Sequence, residues 1–308
     1  MKIMFMGTPE FAAVSLEALI KNGEDVACVI SQPYKPKNRG MKLVPTAVGA
    51  VAEKNSILLK TPETLKDKAI LPLLSKVKPE LIVVVAYGKL LPQYVLDFPK
   101  YGCINIHGSL LPKYRGAAPI QQSIISGEKE TGVTSMYMAR GMDTGDMILK
   151  ESIKIEDDDT AGTLHDKLAV LGAEVLLKTV DMIKKGTVRR EKQNDDEATY
   201  AHMLTKEMGK VDWTKSAEEI KNLVRGLDPW PSAYSYIKDK RFKIFGVSAE
   251  DKNGAPGEIL EVSDTLLTAA GKGALRIREV GFDNKKRMPV SDFVRGNGDV
   301  FKKGEMLK

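Results

Sequence analysis

The chain has 308 residues, 43% hydrophobic and 29% charged, which suits about two globular domains and argues against disordered or low-complexity sequence. Cys28 and Cys103 sit in apolar, strand-like runs and read as packing residues. With three histidines and no CxxC, neither a disulfide framework nor a structural zinc site is expected. A formal charge of +6 points only weakly to an anionic partner, and no run approaches the ~18 apolar residues of a membrane helix.

The first predicted strand is Lys2–Met6. The apolar start stops at Gly7-Thr8-Pro9, too short for a signal peptide, so a protein of the reducing cytoplasm is expected. Thr8 is placed to cap the next helix, with Pro9 at its first position, where a missing N–H costs nothing. Phe11, Val14 and Ala18 share one face of that helix, and Asn22-Gly23 stops it. Asp25–Ile30 is the second strand. A basic, proline-containing insertion follows at Gln32–Thr46, with Lys35, Lys37, Arg39 and Lys42 inside it. Leu81–Ala86 is apolar on both faces, as a central strand of a parallel sheet must be, and Cys103–Ile106 is another short strand. Strands alternating with helices predict a doubly wound, mostly parallel α/β sheet.

The pattern then changes. Gly132–Met138 and Met147–Ile155 read as two strands joined by a glycine-containing turn, and Thr163–Lys185 as a long helix ending at Gly186. The polar stretch Val188–Thr199 reads as a linker. A short helix at Ser216–Gly226 precedes Asp228-Pro229-Trp230-Pro231. Short β-like runs follow at Ala233–Ile237, Phe242–Phe245, Glu258–Val262, Thr265–Ala269 and Ala274–Val280, predicting a small antiparallel barrel or sandwich. The expected organisation is a first domain at 1–189, a linker at 190–206 and a second domain at 207–308.

Candidate chemistry concentrates in Cys103-Ile104-Asn105-Ile106-His107-Gly108-Ser109-Leu110-Leu111-Pro112. Asn105 and His107, two apart on a strand, point to the same side, and Gly108 lets the backbone leave the sheet where α/β folds bind ligands. The histidine reads either as a satisfied structural residue or as part of a site. A second segment, Gly141-Met142-Asp143-Thr144-Gly145-Asp146, reads either as a plain turn or as the source of an acid. Gly7-Thr8-Pro9 is not the GxGxxG of a dinucleotide site, so a nicotinamide role is rejected.

Together these segments resemble the folate-dependent formyltransferases, in which Asn-x-His-Gly-Ser-Leu-Leu-Pro is followed by an aspartate in an Asp-Thr-Gly-Asp turn. Here His107 and Asp143 are 36 residues apart. The resemblance extends to Gly7-Thr8-Pro9-Glu10-Phe11, to Val83–Gly88, to Arg115-Gly116-Ala117-Ala118-Pro119-Ile120 and to Asp228–Pro231. It implies a Rossmann-like catalytic domain followed by an OB-like β-barrel, and a monomeric enzyme without a metal. It implies Asn105, His107 and Asp143 as catalytic residues, Ser109, Leu110, Leu111 and Pro112 as the folate-binding segment, and 10-formyltetrahydrofolate as formyl donor.

Within the family the chain is most similar to members that formylate the methionyl group of initiator tRNA. That likeness implies tRNA contacts at Arg39 and Lys42 in the insertion and at Lys285, Lys286 and Arg287 in the second domain. From Lys206 onward there are 20 Lys and Arg against 16 Asp and Glu, so the clusters at Lys238–Lys243 and 285–287 say more than the sum. Three alternatives stay open. They are an amino-sugar acceptor, water as acceptor, and an RNA-binding module in which the α/β domain is only a scaffold.

Overall fold

The computed structural model describes residues 1–37, 42–282, 286–297 and 300–308, with the backbone alone at 35–37 and 42. The chain begins with β1 (Lys2–Gly7), α1 (Glu10–Lys21) and β2 (Asp25–Ile30), then two short strands, β3 (Lys35–Lys37) and β4 (Lys42–Val44). Next come α2 (Ala47–Lys54), β5 (Leu59–Lys60), α3 (Leu71–Val77), β6 (Leu81–Val85), α4 (Gln93–Leu96) and β7 (Cys103–His107). The middle of the chain supplies β8 (Arg115–Gly116), α5 (Pro119–Ile125), β9 (Glu130–Tyr137), β10 (Met147–Lys154) and the long α6 (Ala161–Lys185).

One seven-stranded sheet runs β10-β9-β7-β6-β1-β2-β5. The pairs from β7 through β6, β1 and β2 to β5 are parallel, and β9 joins β7 antiparallel. The expected parallel-dominated α/β sheet is therefore present, with a change of direction beside β7. Strand alternation puts Met4, Met6, Ile82, Val84 and Cys103 on one face, under Leu74 and Val77 of α3 and Val95 of α4. On the other face α6 comes close to β7 and α1, and a Cβ at Gly172 would lie 3.2 Å from Ile106 and 3.6 Å from Phe11. With both faces covered, Leu81–Val85 is buried throughout. Each such side chain contributes about 1.5–3 kcal/mol relative to exposure.

The helix start after β1 differs from expectation. Pro9 is the capping residue and makes no side-chain bond; its carbonyl receives the N–H groups of Ala12 and Ala13. The Thr8 hydroxyl donates to the Tyr87 carbonyl instead, at 3.1 Å, so it ties the β1 turn to the turn after β6. The Gln32–Thr46 insertion is also more regular than a loop, since β3 and β4 pair antiparallel with Lys37 opposite Lys42.

After α6 the chain contributes β11 (Tyr200–Ala201), α7 (Ala217–Gly226), β12 (Ala233–Ile237), β13 (Lys240–Glu250), β14 (Ile259–Val262), β15 (Leu266–Ala269), β16 (Ala274–Phe282), β17 (Met288–Pro289) and α8 (Val290–Gly296). An antiparallel sheet runs β12-β13-β16-β15-β14, with β17 also on β16. Its core includes Phe242 and Phe293, and the rings of Phe282 and Phe293 stack at 4.4 Å. α7 opens with a reciprocal cap formed by Ser216 and Glu219, in which each residue's side chain meets the other's backbone N–H.

The chain forms two units: 1–116 with 131–153 and 165–200, and 117–130 with 154–164 and 201–308. The second therefore takes in α5. The reason is local packing, because Gly226 of α7 leaves room only for Ile125, whose Cγ1 lies 2.5 Å from where a Cβ would stand. The stretch expected as a bare linker is bound into the first unit up to Tyr200. Glu191 and Met147 exchange both backbone hydrogen bonds, at 2.8 and 2.9 Å.

Candidate active site

β7 delivers Asn105 and His107 to its carboxyl end on one side of the sheet, as the spacing of two predicts. Asn105 stands opposite Val84 of β6 and Met136 of β9 and is half-buried; His107 stands opposite Thr134 and is 6% exposed. The His107 Nε2 lies 2.9 Å from the Tyr114 carbonyl. A carbonyl only accepts, so Nε2 carries the proton and Nδ1 is left facing Asp143. The distance from Nδ1 to Asp143 Oδ2 is 3.7 Å. That is long for a hydrogen bond, but close enough for the two groups to interact electrostatically.

The turn after β7 explains how Tyr114 reaches the ring. Ser109 Oγ donates to the Lys113 carbonyl at 2.7 Å, and Thr134 Oγ1 donates to the Ser109 carbonyl at 2.7 Å while accepting from Leu111 N–H at 3.1 Å. Ser109 and Leu111 are buried; Leu111 packs with Met136 and Met147. Leu110 covers Gly132 of β9, where a Cβ would meet its Cδ2 at 2.6 Å. Pro112 is half-buried. The side chains of Ser109 and Leu111 thus face inward, and the Ser109 hydroxyl is already engaged, so it is not an exposed nucleophile.

Asp143 comes from the turn between β9 and β10. Its φ of +52° lies in the left-handed region, and Gly145 has no room for a side chain because a Cβ there would sit 1.8 Å from the Tyr137 carbonyl. The Asp143 carboxylate accepts from Gly116 N–H at 2.8 Å. Gln193, from the polar stretch after α6, donates to the carbonyls of Asp143 and Gly145 at 2.7 and 2.8 Å. Arg115, buried at 2% exposure, donates to Gln193 Oε1 at 3.0 Å and to Asp195 at 2.7 Å. Sequence reading missed Gln193 and the supporting role of Arg115. Gln193 has no local signal, since it lies 50 residues from Asp143 inside a run of charged residues.

Only some of the expected tRNA contacts fall within the described residues. Arg39 and Lys285 are outside the described residues, and Lys42 is placed by its backbone in β4. Lys286 is exposed. Arg287 is committed within its own unit, because its guanidinium pairs with Asp228 at 2.9 Å and with Glu279, and lies 4.4 Å over the Phe245 ring. Its charge is therefore already balanced, unlike the free phosphate contact expected from sequence.

Both cysteines are free and buried. Burial pushes the Cys28 thiol up to about 11 and the Cys103 thiol up to about 12, so neither supplies a thiolate nucleophile. Among the described residues, no three His, Cys, Asp or Glu side chains gather as a metal site would require, and no helix is long and apolar enough to cross a membrane.

Comparison with known proteins bears on this arrangement. The formyl transferase family model matches residues 1–180, and the model of the formyl transferase C-terminal domain matches 203–298. The chain is 51% identical to the methionyl-tRNA formyltransferase of Acetivibrio thermocellus, over 96% of this chain and 97% of that one. It is 49% identical to the methionyl-tRNA formyltransferase of Caldanaerobacter subterraneus subsp. tengcongensis, over the whole of both chains. Among solved structures, the fold is similar to an N-formyltransferase of Helicobacter canadensis, with a TM-score of 0.70 at 21% identity over 90% of this chain and 98% of that one. It is also similar to the methionyl-tRNA formyltransferase of Clostridium thermocellum, with a TM-score of 0.56 at 18% identity over 80% and 93%.

Proposed function

We propose that this chain, which belongs to the formyl transferase family, moves the formyl group of 10-formyltetrahydrofolate onto the free amino group of methionyl initiator tRNA. The observation that carries the chemical reading is the pairing of His107 with Asp143 at the end of the strand that also presents Asn105. The acceptor follows from relatives about half identical over the full length, which are methionyl-tRNA formyltransferases.

The reaction needs a donor to a developing oxyanion and a place for one proton. The amine lone pair forms a bond to the formyl carbon, and the carbonyl π electrons move onto oxygen. The Asn105 carboxamide N–H stabilises that oxygen. His107 has Nε2–H spent on Tyr114, so it can donate to the oxygen only from Nδ1, and only as imidazolium. Asp143 takes the proton that the amine loses, directly or through water. Collapse breaks the bond to N10, which receives that proton, so one proton moves from amine to folate nitrogen and the enzyme is restored.

In this reading the turn at 109–112 forms a wall of the folate site. The basic insertion at 32–46 and the C-terminal unit, as an OB-like domain, bind the tRNA. The enzyme works as a monomer in the cytoplasm. The test supplies 10-formyltetrahydrofolate with charged initiator tRNA, a nucleotide-linked amino sugar, or water alone. Formyl-methionyl-tRNA should form fastest by orders of magnitude. Faster formylation of the sugar, or folate hydrolysis that ignores the tRNA, overturns the assignment of acceptor.

A further inference from the structure

We propose that Gln193 is a positioning residue for Asp143, and that Arg115 holds it in the orientation it needs. The inference rests on the reading of Asp143 as the group that takes the amine proton. Asp143 sits on a turn whose backbone a non-glycine residue disfavours, so something must hold that conformation. Two contacts do so. Gly116 N–H fixes the carboxylate, and Gln193 fixes the backbone by donating to the carbonyls of Asp143 and Gly145.

The amide of Gln193 has one usable orientation. Its oxygen accepts from Arg115 Nε–H, and its nitrogen donates to two carbonyls. Reversed, the oxygen would face two acceptors and the nitrogen a guanidinium donor. Arg115 is itself buried and anchored by Asp195. It also directly precedes Gly116, so one dipeptide controls the Asp143 carboxylate directly and its backbone through Gln193. Without Gln193 the turn keeps its strain and loses its donors. The carboxylate then leaves the position 3.7 Å from His107 Nδ1.

The experiment measures steady-state kinetics and thermal unfolding for Gln193→Ala and Gln193→Glu, each alone and combined with Asp143→Asn. A positioning role predicts that Gln193→Ala lowers kcat by about 10- to 100-fold, the scale of a misplacement near one ångström. KM for folate and tRNA should stay within about twofold, since neither substrate loses a contact. Gln193→Glu has the same size but presents acceptors to the two carbonyls, so it should lose at least as much. It also carries the test should the alanine variant unfold. In the Asp143→Asn background, losing Gln193 should cost less than about twofold more, because its effect passes through Asp143.

Wild-type kcat in Gln193→Ala, a change confined to KM, or losses that multiply fully in the double variant each overturn the inference while the Asp143 reading stands. Wild-type turnover in Asp143→Asn overturns that reading, and the inference with it.

Discussion

The carboxyl end of β7 and the C-terminal antiparallel sheet use buried space in opposite ways. Around β7, polar groups are drawn inward and linked to one another: His107 to Tyr114, Asp143 to Gly116 and Gln193, Gln193 to Arg115. In the C-terminal sheet the interior is aromatic and apolar. Phe242, Phe282, Phe293 and Phe301 pack ring against ring, while charges such as Arg276 and Glu250 pair on the outside. Burying polar groups costs stability unless every one finds a partner, so the first arrangement signals chemistry and the second signals scaffold.

The sharpest way to break this comparison is to empty the aromatic core. Phe242→Ala should destabilise the C-terminal unit by about 3–5 kcal/mol, the usual cost of deleting a buried Phe, read as a lower denaturant midpoint. A loss under ~1 kcal/mol would mean that the rings are not what holds the sheet.

A smaller effect is expected at the cap of α7. Ser216→Ala should cost about 1 kcal/mol in the same unfolding experiment. Hydrogen bonds from the Ser216 hydroxyl and N–H hold the Glu219 carboxyl below its ordinary value of 4.5. A depressed carboxyl adds stability above its unfolded pKa and loses it as pH falls through the lower folded value. The difference between wild type and Ser216→Ala should therefore shrink below about pH 4.5. A constant difference across that range would place the cap's contribution elsewhere.

The smallest effect separates an exposed charge, Lys286, from a neutralised one, Arg287. If Lys286 meets a phosphate, Lys286→Gln should flatten the log–log salt dependence of tRNA affinity by about 0.7–0.9. Arg287→Gln should leave that slope unchanged, because Asp228 and Glu279 already balance its guanidinium. Equal flattening by both variants would show that the Arg287 pairs open when RNA binds.

What sequence could show follows the same division. Leu81–Val85 was legible because a strand buried on both faces leaves an unbroken apolar run. Asn105 and His107 were legible because a period of two guarantees a shared side. Gly186 ended α6 as read, with φ +67°. Other features depend on distant partners and leave no local pattern. Thr8 looked like a helix cap, yet its hydroxyl goes to Tyr87, 79 residues away. Arg287 looked like an open charge because Asp228 is 59 residues distant in the chain. Gln193 looked like linker for the same reason, and α5 looked like part of the first domain because nothing in it advertises Gly226 as its neighbour.

The central claim is that Asn105, His107 and Asp143 carry out the formyl transfer, and single-turnover kinetics test it most directly. With enzyme in excess and both substrates bound, Asn105→Ala, His107→Ala and Asp143→Ala should each slow formation of formyl-methionyl-tRNA by at least ~10²-fold, the scale of losing an oxyanion donor or a general base. Folding and tRNA affinity should stay near wild type in all three. A wild-type rate in any one of them would contradict the account and remove that residue from the chemistry.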